Sequence, residues 1–169
     1  MEHITSTDID QTVDTVVTIG NFDGVHMGHR KLIETAKEYA EKLSLKLVVL
    51  TFNPHPMFVF GDRKNAALIM SPEEKCITME KMGVDTYIEY PFDREFASMS
   101  PEDFAIKLLF ERLRSKVVVV GYDYHFGSKQ ALYQAIIDSQ LSVLRQLEAD
   151  IEKEEKTPLQ RLKQYLHAI

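Results

Sequence analysis

The stretch "TIGNFDGVHMGHRKL", Thr18 to Leu32, decides how the rest of the chain is read. Upstream, "TVVTIG" (Thr15–Gly20) is a β-branched run that closes on glycine, the pattern of a strand buried on both faces. Downstream, from Met27 to Leu43, apolar Leu32, Ile33, Ala36, Ala40 and Leu43 recur at three- and four-residue steps. Lys31, Glu34, Lys37, Glu38 and Glu41 fill the opposite face, so the spacing predicts an amphipathic helix. Residues 21–24 must then turn the chain. A strand, a tight turn and a helix in this order put Gly20 at the carboxyl end of a strand. The free N–H groups of the following helix lie beside it, where parallel sheets take up ligands and anions.

The same alternation continues along the chain. "LKLVVLTF" (Leu45–Phe52) reads as a second buried strand, stopped by "NPHP" because proline cannot continue a central strand. Phe58 to Met70 reads as a loop with apolar pieces. "SPEEKCITMEKMG" (Ser71–Gly83) opens with an N-cap serine, proline at the first helical position and glutamate at the third, and ends in glycine. "VDTYIEY" (Val84–Tyr90) is a third strand. "SPEDFAIKLLFERLRS" repeats the helix opening at Ser100, and "KVVVVG" (Lys116–Gly121) is a fourth strand. These elements predict an α/β fold: a Rossmann-like open, mostly parallel twisted sheet of about four to five strands, with helices on both faces.

From Gln130 the pattern is helical alone, with apolar Leu132, Ile136, Leu141, Leu144, Leu147 and Ile151. A last helix is capped by Thr157 with Pro158 behind it. The expected organisation is therefore an α/β domain over 1–129 and a helical tail over 130–169. The tail can cover a sheet edge, pair with a second copy in a homo-oligomer, or be an unrelated segment, and the pattern does not choose.

Bulk properties narrow the partners. The chain has 169 residues with 44% hydrophobic and 27% charged, ordinary values for a globular protein. Its net charge of −6 argues against an extended nucleic-acid surface and leaves a local nucleotide pocket open. The single cysteine, Cys76, excludes an internal disulfide and any CxxC metal pattern; it reads as a small apolar residue on a helix. The polar, acidic start is no signal peptide, and no apolar run approaches the roughly 18 residues of a membrane span. The expectation is a cytoplasmic protein with no membrane partner.

The chemistry centres on His26 and His29. Both sit at the helix opening and can donate hydrogen bonds to a phosphate, more strongly when protonated. Gly24 permits an unusual backbone angle, and Gly28 lets a phosphate approach the backbone closely. This His-x-Gly-His spacing resembles the nucleotidylyltransferase superfamily. Five stretches occur in order: "TIGNFDGVHMGH", "LTFNPHP", "LIMSPEEK", "FDREFASMSPEDF" and "VVVVGYDYHFG". Together they resemble the N-terminal FMN adenylyltransferase module of bacterial FAD synthetases, the bifunctional riboflavin kinase/FMN adenylyltransferase family. The resemblance covers roughly Thr15 to Gly127.

The resemblance implies transfer of AMP from ATP to FMN, giving FAD and pyrophosphate, with no covalent enzyme intermediate. It implies His26 and His29 as the catalytic residues. Gly20, Asn21, Phe22, Asp23, Gly24 and Gly28 would line the ATP phosphates, chiefly through backbone N–H groups. Mg2+ would arrive with ATP, and no protein-held metal is expected. Asn53 and His55 would lie on the flavin side, although His55 fits a structural loop histidine equally well. Asp123 falls where the family has an acidic or amide residue that contacts nucleotide and flavin; Tyr124 and Phe126 suit either a ligand ring or the core. Phe92, Phe96 and Phe104 read as packing residues, and Asp93 with Arg94 as a loop ion pair.

The chain also departs from the family. The Ser-Ser/Thr-x-x-Arg motif that opens a later helix and holds phosphates has no clear copy. Ser142 and Arg145 offer similar spacing but fit an ordinary amphipathic helix. The Gly-x-Pro-Thr-x-Asn type motif of the kinase module is absent, so riboflavin kinase activity is not expected. Two alternatives to the enzyme stay open: a degenerate relative that binds flavin or ATP without turnover, and an oligomeric regulatory protein built on the tail.

Overall fold

The computed structural model describes residues 1–60 and 67–121. In chain order its elements are β1 (Glu2–Ile4), β2 (Thr15–Ile19), α1 (Met27–Leu43), β3 (Lys46–Asn53), α2 (Pro56–Phe60), α3 (Pro72–Lys81), β4 (Thr86–Pro91), α4 (Arg94–Ala97), α5 (Pro101–Asp103), a π-helical segment Phe104–Arg112, and β5 (Ser115–Val120). The 130–169 tail, its boundary with 1–129, and Asp123, Tyr124, Phe126, Ser142 and Arg145 lie outside the described residues.

The strands form one five-stranded sheet in the order β1-β4-β3-β2-β5, and every pairing is parallel. From β2 the chain steps one way through β3 to β4. It then crosses back to lay β5 on the other side of β2. The direction of winding therefore reverses between β2 and β5, and a ligand crevice opens at the carboxyl ends of strands on either side of such a reversal. Gly20 follows β2 and Gly121 follows β5, so the start of "GNFDGVHMGH" and Gly121 both lie at this end of the sheet.

Alternate strand residues feed two cores. Val17, Ile19, Val48, Leu50 and Ile88 face Phe104, Ala105, Leu108, Leu109 and Leu113. Val16, Val49 and Tyr87 face Ile33, Ala36 and Ala40 of α1 and Met79 of α3. The expected α/β sheet with helices on both faces is the fold observed. Helix α1 spans Met27–Leu43, as its periodicity predicts. At the start of α3 the Ser71 hydroxyl accepts from the Glu74 N–H while Glu74 accepts from the Ser71 N–H, closing the capping box.

Four local features differ from expectation. The polar N-terminus supplies edge strand β1, too short and too polar to show alternation. Part of the expected 58–70 loop is helical, because Pro54 of "NPHP" stops β3 and the second proline, Pro56, opens α2. Asp93 is no ion-pair partner of Arg94: its carboxylate accepts the Phe96 N–H at 2.7 Å and caps α4. Finally, the helix after Ser100 widens into a π-helix. Its apolar residues recur five apart (Phe104 and Leu109, Leu108 and Leu113), and the Leu113 N–H bonds to the Leu108 carbonyl at 2.9 Å. Phe92, Phe96 and Phe104 pack together as expected, with Phe52 and Tyr90 in the same aromatic cluster.

Phe104 is fully buried, so Phe104→Ala should cost about 3–5 kcal/mol in urea unfolding. Ile77→Ala, on the exposed side of α3, should stay within about 0.5 kcal/mol of the parent protein.

Candidate active site

The turn after β2 is built from strained backbone. Phe22, Gly24 and Val25 all take positive φ, at 49°, 75° and 37°. Phe22 can hold that conformation because its ring is fully buried, packed against the space a Gly20 side chain would fill. A Cβ on Gly20 would come within 3.2 Å of the Phe22 ring. Gly20 thus makes room for core packing, and the Phe22 side chain belongs to the core.

The Asp23 carboxylate accepts from the N–H of Ile69 at 2.9 Å and of Met70 at 3.1 Å. It ties the turn to the segment that leads into α3. The Asn21 carbonyl accepts from the Thr51 hydroxyl at 3.1 Å and from Lys75 Nζ at 3.2 Å.

His26 is the N-cap of α1. Its Nδ1 accepts from the His29 N–H at 3.4 Å, a long contact. An accepting Nδ1 carries no proton, so this geometry assigns the Nε2–H tautomer and leaves Nε2 to donate outward. His26 therefore caps the helix through one ring nitrogen, and the hydrogen bond leaves the other uncommitted to that cap. The His26 and His29 rings stack at 3.7 Å between centroids, 20° apart, and Phe22 lies against His29 at 5.2 Å. A Cβ on Gly28 would stand 3.2 Å from the His26 ring. Gly28 thus admits the imidazole of its own turn. His26 and Met27 are exposed, the latter at 87%, while His29 is half-buried.

The loop after β3 holds the second group. Asn53 Nδ2 donates to Glu89 Oε2 at 3.0 Å, and His3 Nε2 lies 2.9 Å from Glu89 Oε1. With its amide nitrogen turned to a carboxylate, Asn53 keeps its Oδ1 as the acceptor not used in that bond. His55 Nδ1 accepts from the Met57 N–H at 3.2 Å, which supports the structural reading of that histidine without removing its outer nitrogen from the crevice. Burial holds the His55 pKa below the ordinary 6.5; Asp23 opposes this and the Lys75 charge adds to it.

Sequence reasoning missed Lys75 and Glu89. Both are buried charges, 6% and 5% exposed, one inside the "SPEEK" cap and one inside a strand pattern. One signal was present for Lys75: it lies four residues before buried Met79, on the inward face of α3. Glu89 gave none, because its partners are 86 and 36 residues away in sequence. Among the described residues no group of three or more His, Cys, Asp or Glu could hold a metal ion. Among them also, no helix is long and apolar enough to cross a membrane.

The sequence pattern of the FAD synthetase family matches residues 8–156, a wider span than the motifs from Thr15 to Gly127. The bifunctional riboflavin kinase/FMN adenylyltransferase of Escherichia coli (strain K12) is 40% identical over 113 residues, 67% of this chain and 36% of that protein. Its counterpart in Bacillus subtilis (strain 168) is 38% identical over 119 residues, 70% and 37%. The crystal structure of a macrolide-efflux protein from Streptococcus pneumoniae is similar, with a TM-score of 0.70 and 30% identity over 82% of this chain and 47% of that one. The chain spans little more than a third of the length of these curated relatives.

Gly28→Ala should leave α1 intact, since alanine is the better helix former by about 1 kcal/mol. The methyl group should push the His26 ring off His29, seen as displaced imidazole proton resonances of both. The depressed His55 pKa sets a second expectation. Between 6.5 and the lower folded value the unfolded chain binds the extra proton, so acidification through that window weakens folding. Urea unfolding should therefore show the parent protein losing more stability than His55→Asn as pH falls below 6.5.

Proposed function

The chain belongs to the FAD synthetase family, and from that premise we propose that its site transfers the AMP part of ATP to FMN, giving FAD and pyrophosphate. The observation that carries this reading is the stacked His26–His29 pair, at the opening of a helix and beside the reversal point of the sheet.

In the proposed reaction a phosphate oxygen of FMN attacks the α-phosphorus of ATP in line. A new P–O bond forms, the bond to the β-phosphate bridging oxygen breaks, and pyrophosphate leaves with the electron pair. A phosphate monoester is largely ionised at neutral pH, with a second pKa of about 6. No general base is then needed, and catalysis rests on donors fixed where charge develops. His26 Nε2 and the His29 ring supply two. The backbone N–H groups of Asn21 to Gly24 supply more, aided by the positive end of α1. Gly20 and Gly28 act through the room they leave for Phe22 and His26.

Mg2+ belongs to this reading as part of the Mg·ATP substrate, where it would neutralise phosphate charge. The turn's own carboxylate, Asp23, is engaged with two backbone N–H groups, so no protein ligand is assigned to it. Asn53 and His55 are assigned to the flavin side with Asp123, Tyr124 and Phe126; Ser142 and Arg145 are secondary phosphate candidates. The net charge of −6 argues against an extended nucleic-acid surface and leaves such a local pocket, built on local donors, open in what we take to be a cytoplasmic protein.

Protein mixed with FMN and Mg·ATP should form FAD and pyrophosphate in equal amounts, followed by chromatography. His29→Ala and His26→Ala should each lower kcat by about 10²-fold or more. Turnover that survives both substitutions together would overturn the mechanism. Binding of ATP and FMN without FAD formation would instead mark a nucleotide-binding relative that has lost the reaction.

A further inference from the structure

Lysine is an unusual choice for the inward face of a helix. Lys75 is 94% buried, since only 6% of its surface is exposed, and it sits one turn before Met79 in α3. Taking an ammonium out of water costs on the order of several kcal/mol unless its charge and donors are matched. The negative charges of Glu89 and Asp23 supply part of the match, against a burial that pushes the ammonium below the ordinary lysine range. The hydrogen bond goes to the Asn21 carbonyl, which also receives the Thr51 hydroxyl.

That carbonyl is half of a peptide plane. The Asn21–Phe22 bond is trans, because the described cis bond is Asn53–Pro54. In a trans peptide the C=O and the next N–H point in opposite directions. Holding the Asn21 oxygen inward on Lys75 and Thr51 therefore turns the Phe22 N–H outward. No backbone acceptor for that N–H is found among the described residues.

We propose that Lys75 is a positioning residue for the phosphate turn: together with Thr51 it fixes the Asn21–Phe22 peptide so that the Phe22 N–H faces the nucleotide phosphates. This rests on the adenylyl-transfer reading for its ligand and on the observed hydrogen bonds for its geometry. Lys75 touches no substrate in this scheme. Its charge acts through the backbone, and α3 becomes part of the nucleotide site without lining it.

The test compares Lys75→Met, which keeps length and apolar bulk but removes the donors, with Lys75→Arg, which restores a cation and donors. FAD formation is measured with Mg·ATP and FMN varied separately. Lys75→Met should raise the KM for Mg·ATP at least about tenfold and leave the KM for FMN within about twofold, since a small misplacement of donors costs up to 10² in rate. Lys75→Arg should recover most of the loss. A purely structural role would lower kcat with the loss of folded protein and leave both KM values unchanged. An unchanged KM for Mg·ATP in folded Lys75→Met overturns the proposal.

Amide spectra of the ligand-free protein give a readout that needs no turnover. The Asn21 to Gly24 resonances should shift in Lys75→Met and return in Lys75→Arg. If the parent protein forms no FAD, the adenylyl-transfer reading fails, and unshifted turn amides separately overturn the positioning role. Should Lys75→Met not fold, Thr51→Val removes the second donor to the same carbonyl with little change of volume. It should move the same resonances and the same KM by a smaller factor; no change in either overturns the proposal.

Discussion

The reversal of the chain between Ile19 and Met27 is the constraint on which the rest depends. A central strand must hand over to a helix on one face of the sheet within a few residues, and three of them adopt left-handed backbone. For Phe22 and Val25 this costs about 1–2 kcal/mol each, since neither is glycine. Such strain persists only where the surroundings over-determine it. Here the buried Phe22 ring holds the turn from below, and the Asp23 carboxylate ties it to Ile69 and Met70. The Asn21 carbonyl is anchored on Thr51 and Lys75. The helix axis, and with it the two imidazoles, takes its direction from these anchors.

Sheet topology explains why the turn becomes a site. β2 lies between β3 and β5 and is buried along its whole length. Its carboxyl end is where the two directions of winding part, the place at which such sheets open a ligand crevice. The two cores then have separate tasks. One, built on α1 and α3, fixes the turn after β2. The other, built on the aromatic cluster and the π-helical segment, fixes the end of β3 and the Asn53–His55 loop.

Elements whose signals are local were legible in the sequence. The ends of α1 follow from periodicity, and those of α3 from Ser71, Pro72, Glu74 and Gly83. The strand ends follow from Gly20, Gly121 and the "NPHP" stop. The histidine pair was legible as chemistry, because its spacing and its place after a strand speak to the same helix opening. What was hidden depends on contacts far apart in the chain. β1 exists because β4 offers it a parallel edge, and its three residues carry no pattern of their own. The π-helical register is set by packing against the sheet; the same apolar spacing is compatible with an ordinary helix. The packing partners of the glycines were also hidden: the missing side chains of Gly20 and Gly28 make room for Phe22 and His26.

Buried charge completes the arrangement. Glu89 receives Asn53 on one oxygen and meets His3 at the other, and Lys75 interacts with the field of Glu89 and Asp23. These groups come from an edge strand, a central strand, a loop and a helix. An isolated charge at any one of these places would be strongly unfavourable, but the opposite signs offset one another. In the proposed reaction His26, His29, the turn N–H groups and Asn53 form the outer layer that meets the nucleotides. The inner layer uses its hydrogen bonds to aim the outer one, so ligand donors and acceptors meet solvent or substrate without reorganising the backbone. Preorganisation of that kind is what a reaction driven by electrostatic stabilisation needs. It also accounts for polar residues in a core that hydrophobic burial alone would have filled with leucine and valine.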